Sequence, residues 1–181
     1  DFADALLGGT IEINTGSFNI PFLFNDNFTG ITATASGGIS KSLRINMGNI
    51  NDRAIIQRDI AQSGDLIVNQ GNLQIHADNV ETFEGGTFGT ITNTNLDLLV
   101  NNDVIINTNG QITTGTANQR HQFQIDGDFT NSGSATTSFT QRVTQTVNSE
   151  ATNGIVDLNF LNTVDAQRII CNGPTNFYRI E

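Results

Sequence analysis

The residues of this chain best suited to chemistry are carboxylates beside glycine. Asp126-Gly127-Asp128 places two carboxylates around one turn residue, and oxygens so placed are calcium ligands. The same residues also make a plain Asp-Gly turn, in which the side chains bond their own backbone. The EF-hand loop and the nonapeptide calcium signature are both absent, so Asp126 and Asp128 form a calcium candidate without the rest of a site. Asp97 and Asp103 follow them in rank.

Catalysis needs more than one such turn. A glycosidase requires two carboxylates converging on a cleft, which nominates Asp126 with Asp128, or Asp157 with Asp165. A lyase acting on an acidic polymer requires basic residues to neutralise uronate charge and take a proton. Lys41 is the single lysine, and Arg120, Arg142 and Arg168 are scattered. No catalytic set therefore emerges. His76 and His121 flank strand-like trios and, with no third ligand, read as surface residues. Cys171 follows Ile169-Ile170 and reads as a small core residue. The Thr-rich stretches 90–94 and 113–116 drift in position, so they lack the strict spacing of an ice-binding array. Exposed Asn, Thr and Phe suit glycan binding without singling out positions.

The elements that carry these residues are narrow ones. Of 181 residues, 36% are hydrophobic and 14% charged, both low for a globular domain, and Asn, Thr, Gly, Ser and Gln fill the difference. Net charge is −10, which disfavours nucleic acid and anionic membrane surfaces as partners. One cysteine excludes an intrachain disulfide and a Cys-based zinc site. No apolar run is long enough for a membrane-spanning helix, so no membrane insertion is expected. The chain opens without Met and stops inside a strand-like phrase, and a processed product or a piece of a longer chain is the expectation.

From Gly64 to Gly133 one phrase returns: two or three apolar or β-branched residues, then Asn, Asp or Gly, then another trio. Leu66 and Val68, Leu73 and Ile75, Leu96 and Leu98, Val104 and Ile106, and Phe123 and Ile125 are expected to share an inward face. Asn69-Gln70-Gly71 is expected to turn the chain between two of these trios. Thr10–Asn14 and Ser42–Asn46 alternate likewise, and Ser138–Val147 suggests a longer strand. Residues 52–61 fit either a short helix capped by Asp52 or two short strands, the latter favoured by the β-preference of Ile. Residues 1–7 have a helical flavour, and the Phe-rich patch at 17–28 suits a plug.

The expected fold is all-β: a right-handed parallel β-helix, or β-solenoid, segment, with a β-sandwich as the alternative. Asn at positions 69, 72, 79, 95, 101 and 107 decides between them, because Asn tolerates sharp corners and stacks into amide ladders. Rungs of roughly 20–30 residues at about 4.8 Å spacing are implied. Residues 1–60 read as a β-rich, capping portion and 61–181 as rungs, in one continuous domain.

G-D-F-T-N-S-G-S at 127–134, G-I-V-D-L-N-F at 154–160, A-Q-R-I-I at 166–170 and G-P-T-N-F-Y-R-I at 173–180 occur in that order. This series resembles the β-helical repeats of very large secreted surface proteins of the Bacteroidota. The resemblance covers residues 120–181 well and 64–114 loosely. Leu161-Asn162 stands where the family has Asn-Gly, and Arg179 where it has Asn-Leu. It implies a non-catalytic structural or adhesive segment of a secreted, cell-surface protein or filament, often a type IX secretion substrate and sometimes linked to gliding motility. Neighbouring rungs, copies of the parent protein and surface glycans are the implied partners, and no cofactor beyond candidate calcium. The alternatives from other classes are a β-helical polysaccharide-degrading enzyme and a glycan-binding module.

Overall fold

A computed structural model describes residues 10–15, 42–56, 60–62, 64–75, 82–83, 86–87, 95–115, 119–140 and 154–181. Among them the chain is all-β. In chain order the strands are β1 (Thr10–Thr15), β2 (Ser42–Met47), β3 (Arg53–Ile56), β4 (Ile60–Gln62) and β5 (Leu66–Ile75). Next come β6 (Thr82–Phe83), β7 (Gly86–Thr87), β8 (Asp97–Val100), β9 (Val104–Thr114) and β10 (Arg120–Ile125). The last are β11 (Phe129–Asn131), β12 (Thr137–Ser138), β13 (Ile155–Phe160), β14 (Ile169–Cys171), β15 (Thr175–Asn176) and β16 (Arg179–Ile180). No helix among them is long and apolar enough to cross a membrane.

Two sheets are parallel throughout. The first runs β1-β2-β5-β9-β11-β14, with β3, β12 and β15 attached along it, and the second runs β16-β13-β10-β8-β4. Among the described residues β6 and β7 pair as an antiparallel hairpin, between β5 and β8 in sequence, and Thr140 makes an isolated antiparallel bridge to Ile155. Parallel neighbours demand a crossover between successive strands. The register shows its regularity: Leu43, Leu66, Val104, Phe129 and Ile169 occupy one position of the first sheet. Ile60, Leu98, Phe123, Leu158 and Ile180 occupy one position of the second.

These positions build a single apolar cluster shared by both sheets. Leu43, Leu66, Val104 and Phe129 are buried, as are Leu98, Phe123 and Leu158. Alternate residues face inward, as period-two patterning requires, and all five expected inward pairs are buried. Towards the end of the chain aromatic rings fill the core. Phe139 meets Phe123 and Phe129 edge-on and stacks on Phe177 at 5.8 Å.

Three local expectations resolve differently from a simple turn-and-trio reading. Residues 53–56 and 60–62 are two short strands, so no helix forms there, and Asp52 instead accepts the Asn49 N–H at 3.0 Å in the preceding turn. Asn69-Gln70-Gly71 does not turn the chain: β5 continues through it with a register shift between Val68 and Gln70. Gly71 takes φ +101°, a backbone conformation open to glycine, so the extra residue is absorbed as a bulge. Of the strand expected over 138–147, Thr137–Ser138 is formed, Phe139 is buried, and 141–147 lies outside the described residues. The helical flavour at 1–7 and the Phe-rich patch at 17–28 also lie outside them.

A glycine column follows the same stack. Gly71 pairs with Gly110, a methyl group on Gly110 would fall on the Val68 carbonyl, one on Gly133 on the Gly110 carbonyl, and one on Gly173 on the Gly133 carbonyl. Successive turns of the stack approach backbone to backbone here, and no side chain fits between them.

Candidate functional site

The carboxylates are organised by the corner that precedes the first sheet. Ser42, Asp65, Asp103, Asp128 and Arg168 stand immediately before the stacked residues Leu43, Leu66, Val104, Phe129 and Ile169. Each of the first four side chains accepts the backbone N–H of its counterpart one strand on. Ser42 Oγ takes Asp65 N–H at 3.2 Å, Asp65 Oδ1 takes Asp103 N–H at 3.3 Å, and Asp103 Oδ1 takes Asp128 N–H at 2.8 Å. Asp128 Oδ1 takes Arg168 N–H at 2.8 Å, and its Oδ2 receives Arg168 Nε at 2.8 Å and Nη2 at 2.7 Å. The column thus ends on a guanidinium fork. That fork and the Arg168 N–H hold the Asp128 carboxyl below its ordinary range, against a smaller opposing effect of burial.

This geometry places the calcium candidate. Asp128 is fully engaged, with oxygens turned to Arg168 and to a backbone N–H, so an incoming cation would have to displace the guanidinium. Asp126 lies in the same corner, where its N–H donates to Val100 O at 2.9 Å, and Gly127 O accepts Gln167 Nε2 at 2.6 Å. Asp103 belongs to the column, and Asp97 is exposed on β8. Among the described residues no three His, Cys, Asp or Glu side chains converge as metal ligands.

The nominated catalytic partners Asp157 and Asp165 differ in burial. Asp157 is 3% exposed on β13, and its Oδ2 receives Arg120 Nε at 2.6 Å and Gln122 Nε2 at 3.0 Å. Asp165 is exposed in a turn where its N–H donates to Asn162 Oδ1 at 3.0 Å. One carboxylate is closed to solvent and engaged by Arg120 and Gln122, and the other is open to solvent. Arg120 is thereby a partner of Asp157 and lies 5.9 Å from the Tyr178 ring centroid. Lys41, Arg142 and His76 lie outside the described residues.

Two readings of single residues are corrected. His121 is not at the surface: it is 1% exposed, and its Nδ1 accepts the Leu96 N–H at 2.9 Å. It shares the inward parity of Phe123 and Ile125, and that parity outweighs the polarity of the ring. Cys171 is not in the core but exposed, on β14, along whose outer edge no further described strand pairs.

Outside the column the amide side chains bond one another. Asn107 Nδ2 donates to Asn69 Oδ1 at 2.7 Å, Asn159 Nδ2 to Gln122 Oε1 at 2.6 Å, and Thr113 Oγ1 to Asn72 Oδ1 at 2.9 Å. Ladders were expected from Asn; Ser42, Asp65 and the column itself were missed. The signal is the residue before each trio, in S-L-R-I, D-L-I-V, D-V-I-I and D-F-T-N. No family model, curated protein or solved structure matches the chain.

Proposed function

We propose that this chain is a right-handed parallel β-helix segment serving a structural and adhesive role in a secreted bacterial surface protein, without catalysis of its own. The observation that carries the reading is the continuous register of both sheets, with one side-chain column and one glycine column following it. Parallel strands joined by crossovers are overwhelmingly right-handed, and a stack of this kind gains rigidity by repetition. The side chains nominated for chemistry are spent on holding strands together: Asp128 on Arg168, Asp103 on a backbone N–H, Asp157 on Arg120 and Gln122. A polar outer face of paired Asn, Gln and Thr is suited to hydroxyl-rich glycans.

The test exposes the immobilised chain to a glycan array and, in solution, to neutral and acidic polysaccharides. Retention of glycans with no release of reducing or unsaturated ends is the expected result. Sugar release that disappears in Asp126→Asn or Asp128→Asn would replace this reading with a polysaccharide-degrading enzyme. Absence of retention across the array would remove the adhesive role.

A further inference from the structure

We propose that the outer face of the first sheet, over β5, β9 and β11, seats an uncharged glycan chain that runs along the stack, across the strands. The inference rests on the adhesive reading above and gives it a surface and a ligand class. Ile67, Ile105 and Thr130 share one register position. They point away from the core, since the residues beside them in each strand are buried. Each is partly exposed. Beyond them along the strands stand Asn69, Asn107 and Ser132. Asn107 Nδ2 donates to Asn69 Oδ1 at 2.7 Å, and the Ser132 N–H donates to Ile106 O at 2.7 Å next to Asn107. On the other side of the aliphatic residues, two positions back, runs the acid column of the corner. The face is ruled in rows of acid, aliphatic and amide or hydroxyl groups, each repeating at about 4.8 Å.

The chemistry of these rows selects the occupant. β5, β9 and β11 each have strands paired along both edges, so no peptide can join them by adding a strand. The aliphatic row is one side chain wide, far short of the roughly 800 Å² per partner of a standard protein interface. It is wide enough for the C–H face of a sugar ring. Sugar hydroxyls donate and accept hydrogen bonds, as the amides of the next row do. The acid column and the net charge of −10 repel uronate and sulfate groups, which leaves an uncharged glycan. Like chemistry recurs only along the stack, because along a single strand it changes at every second residue. A polymer of repeated units keeps its contacts by crossing the strands.

Titration calorimetry of the 181-residue chain reads the binding. The probes are cello-oligosaccharides and N-acetylglucosamine oligomers of increasing length, with galacturonate oligomers as the anionic comparison. Affinity for a neutral series is expected to climb with length, and the uronates to bind at least ~10-fold more weakly. Ile67→Thr with Ile105→Thr keeps the β-preference of both strands and is expected to weaken binding at least ~10-fold. Thr130→Ile completes the aliphatic row and is expected to tighten binding, an effect that misfolding does not mimic. Gln124→Ala, on the outer face of β10 in the second sheet, is expected to change nothing. Neutral oligomers that do not bind, or that bind with indifference to the Ile67, Ile105 and Thr130 variants, overturn this inference. Uronates that bind as well as the neutral series do so too. The adhesive reading falls only if the whole glycan array stays empty, so the two fail separately.

Discussion

Replacing Gly133 by alanine sets two opposed effects against each other, and the structure decides between them. Alanine restricts the unfolded chain, which by itself stabilises by about 0.4–1 kcal/mol. Against this, the new methyl would fall on the Gly110 carbonyl oxygen, with Asn131 Oδ1 at 3.0 Å and Ile106 Cγ2 at 3.4 Å. None of these neighbours yields easily. Ile106 and Asn131 are fully buried, and Gly110 lies within the paired length of β9. Overpacking of this kind costs about 1–3 kcal/mol. Moving Gly133 aside also strains its N–H bond to Asn131 Oδ1, 2.8 Å long and buried, worth about 1–3 kcal/mol if left unmade. The net expectation for Gly133→Ala is a loss of about 2–4 kcal/mol, a fall in Tm of roughly 5–15 °C for a chain of this size. Urea unfolding and calorimetry read it, with the exposed Thr136→Ala as the neutral reference. A Gly133→Ala protein as stable as the parent would refute the close backbone stack, and with it the glycine column.

Two further outcomes follow from the same columns. Asp128→Asn removes a charge held by Arg168; with Arg168 largely exposed, the loss is about 1 kcal/mol or less at neutral pH. Because the folded carboxyl titrates below its unfolded value, that contribution is present above about pH 4 and fades as pH falls through the folded pKa. Urea midpoints of parent and variant should therefore converge in acid, and a constant gap down to pH 2 would be the contrary result. Phe139→Ala empties a fully buried site touched by three other rings and should cost about 3–5 kcal/mol by calorimetry; a cost near zero would mean the aromatic cluster is not packed.

The inward faces were legible because period-two alternation marks trios such as Leu66 with Val68 and Phe123 with Ile125, although Gly71–Ile75 and Ile155–Leu158 are buried on both faces. The rung length was not, and the register explains why. The step from Leu43 to Leu66 is short and the next, to Val104, is long, because it takes in residues 76–94 with the β6–β7 hairpin. Phe129 to Ile169 is long again, while Val104 to Phe129 is short. A repeat interrupted in alternate turns has no single period to measure. Gly71 misled for a related reason: a bulge within a strand and a turn between strands use the same residues. His121 shows the opposite case, where alternation alone gave the right face and residue type argued for the wrong one.

The division of labour between Asp and Asn follows from what each side chain offers. An amide both donates and accepts, so Asn69 and Asn107 bond directly and the next amide can extend the chain of bonds. A carboxylate only accepts, and stacked carboxylates about 4.8 Å apart repel by roughly 1 kcal/mol per pair at the dielectric of water and more in a partly buried corner. Asp65, Asp103 and Asp128 would be a costly substitute for an amide ladder. They occupy the corner instead, where each new strand begins with an N–H pointing back at the strand before it. The charge-assisted bond to that N–H offsets the repulsion, which is why the acid sits immediately before the trio and not within it. Before β14 the pattern changes to Arg168, whose Nε and Nη2 reach back to Asp128 Oδ2. Cationic at the end of an anionic column, it relieves the repulsion accumulated below.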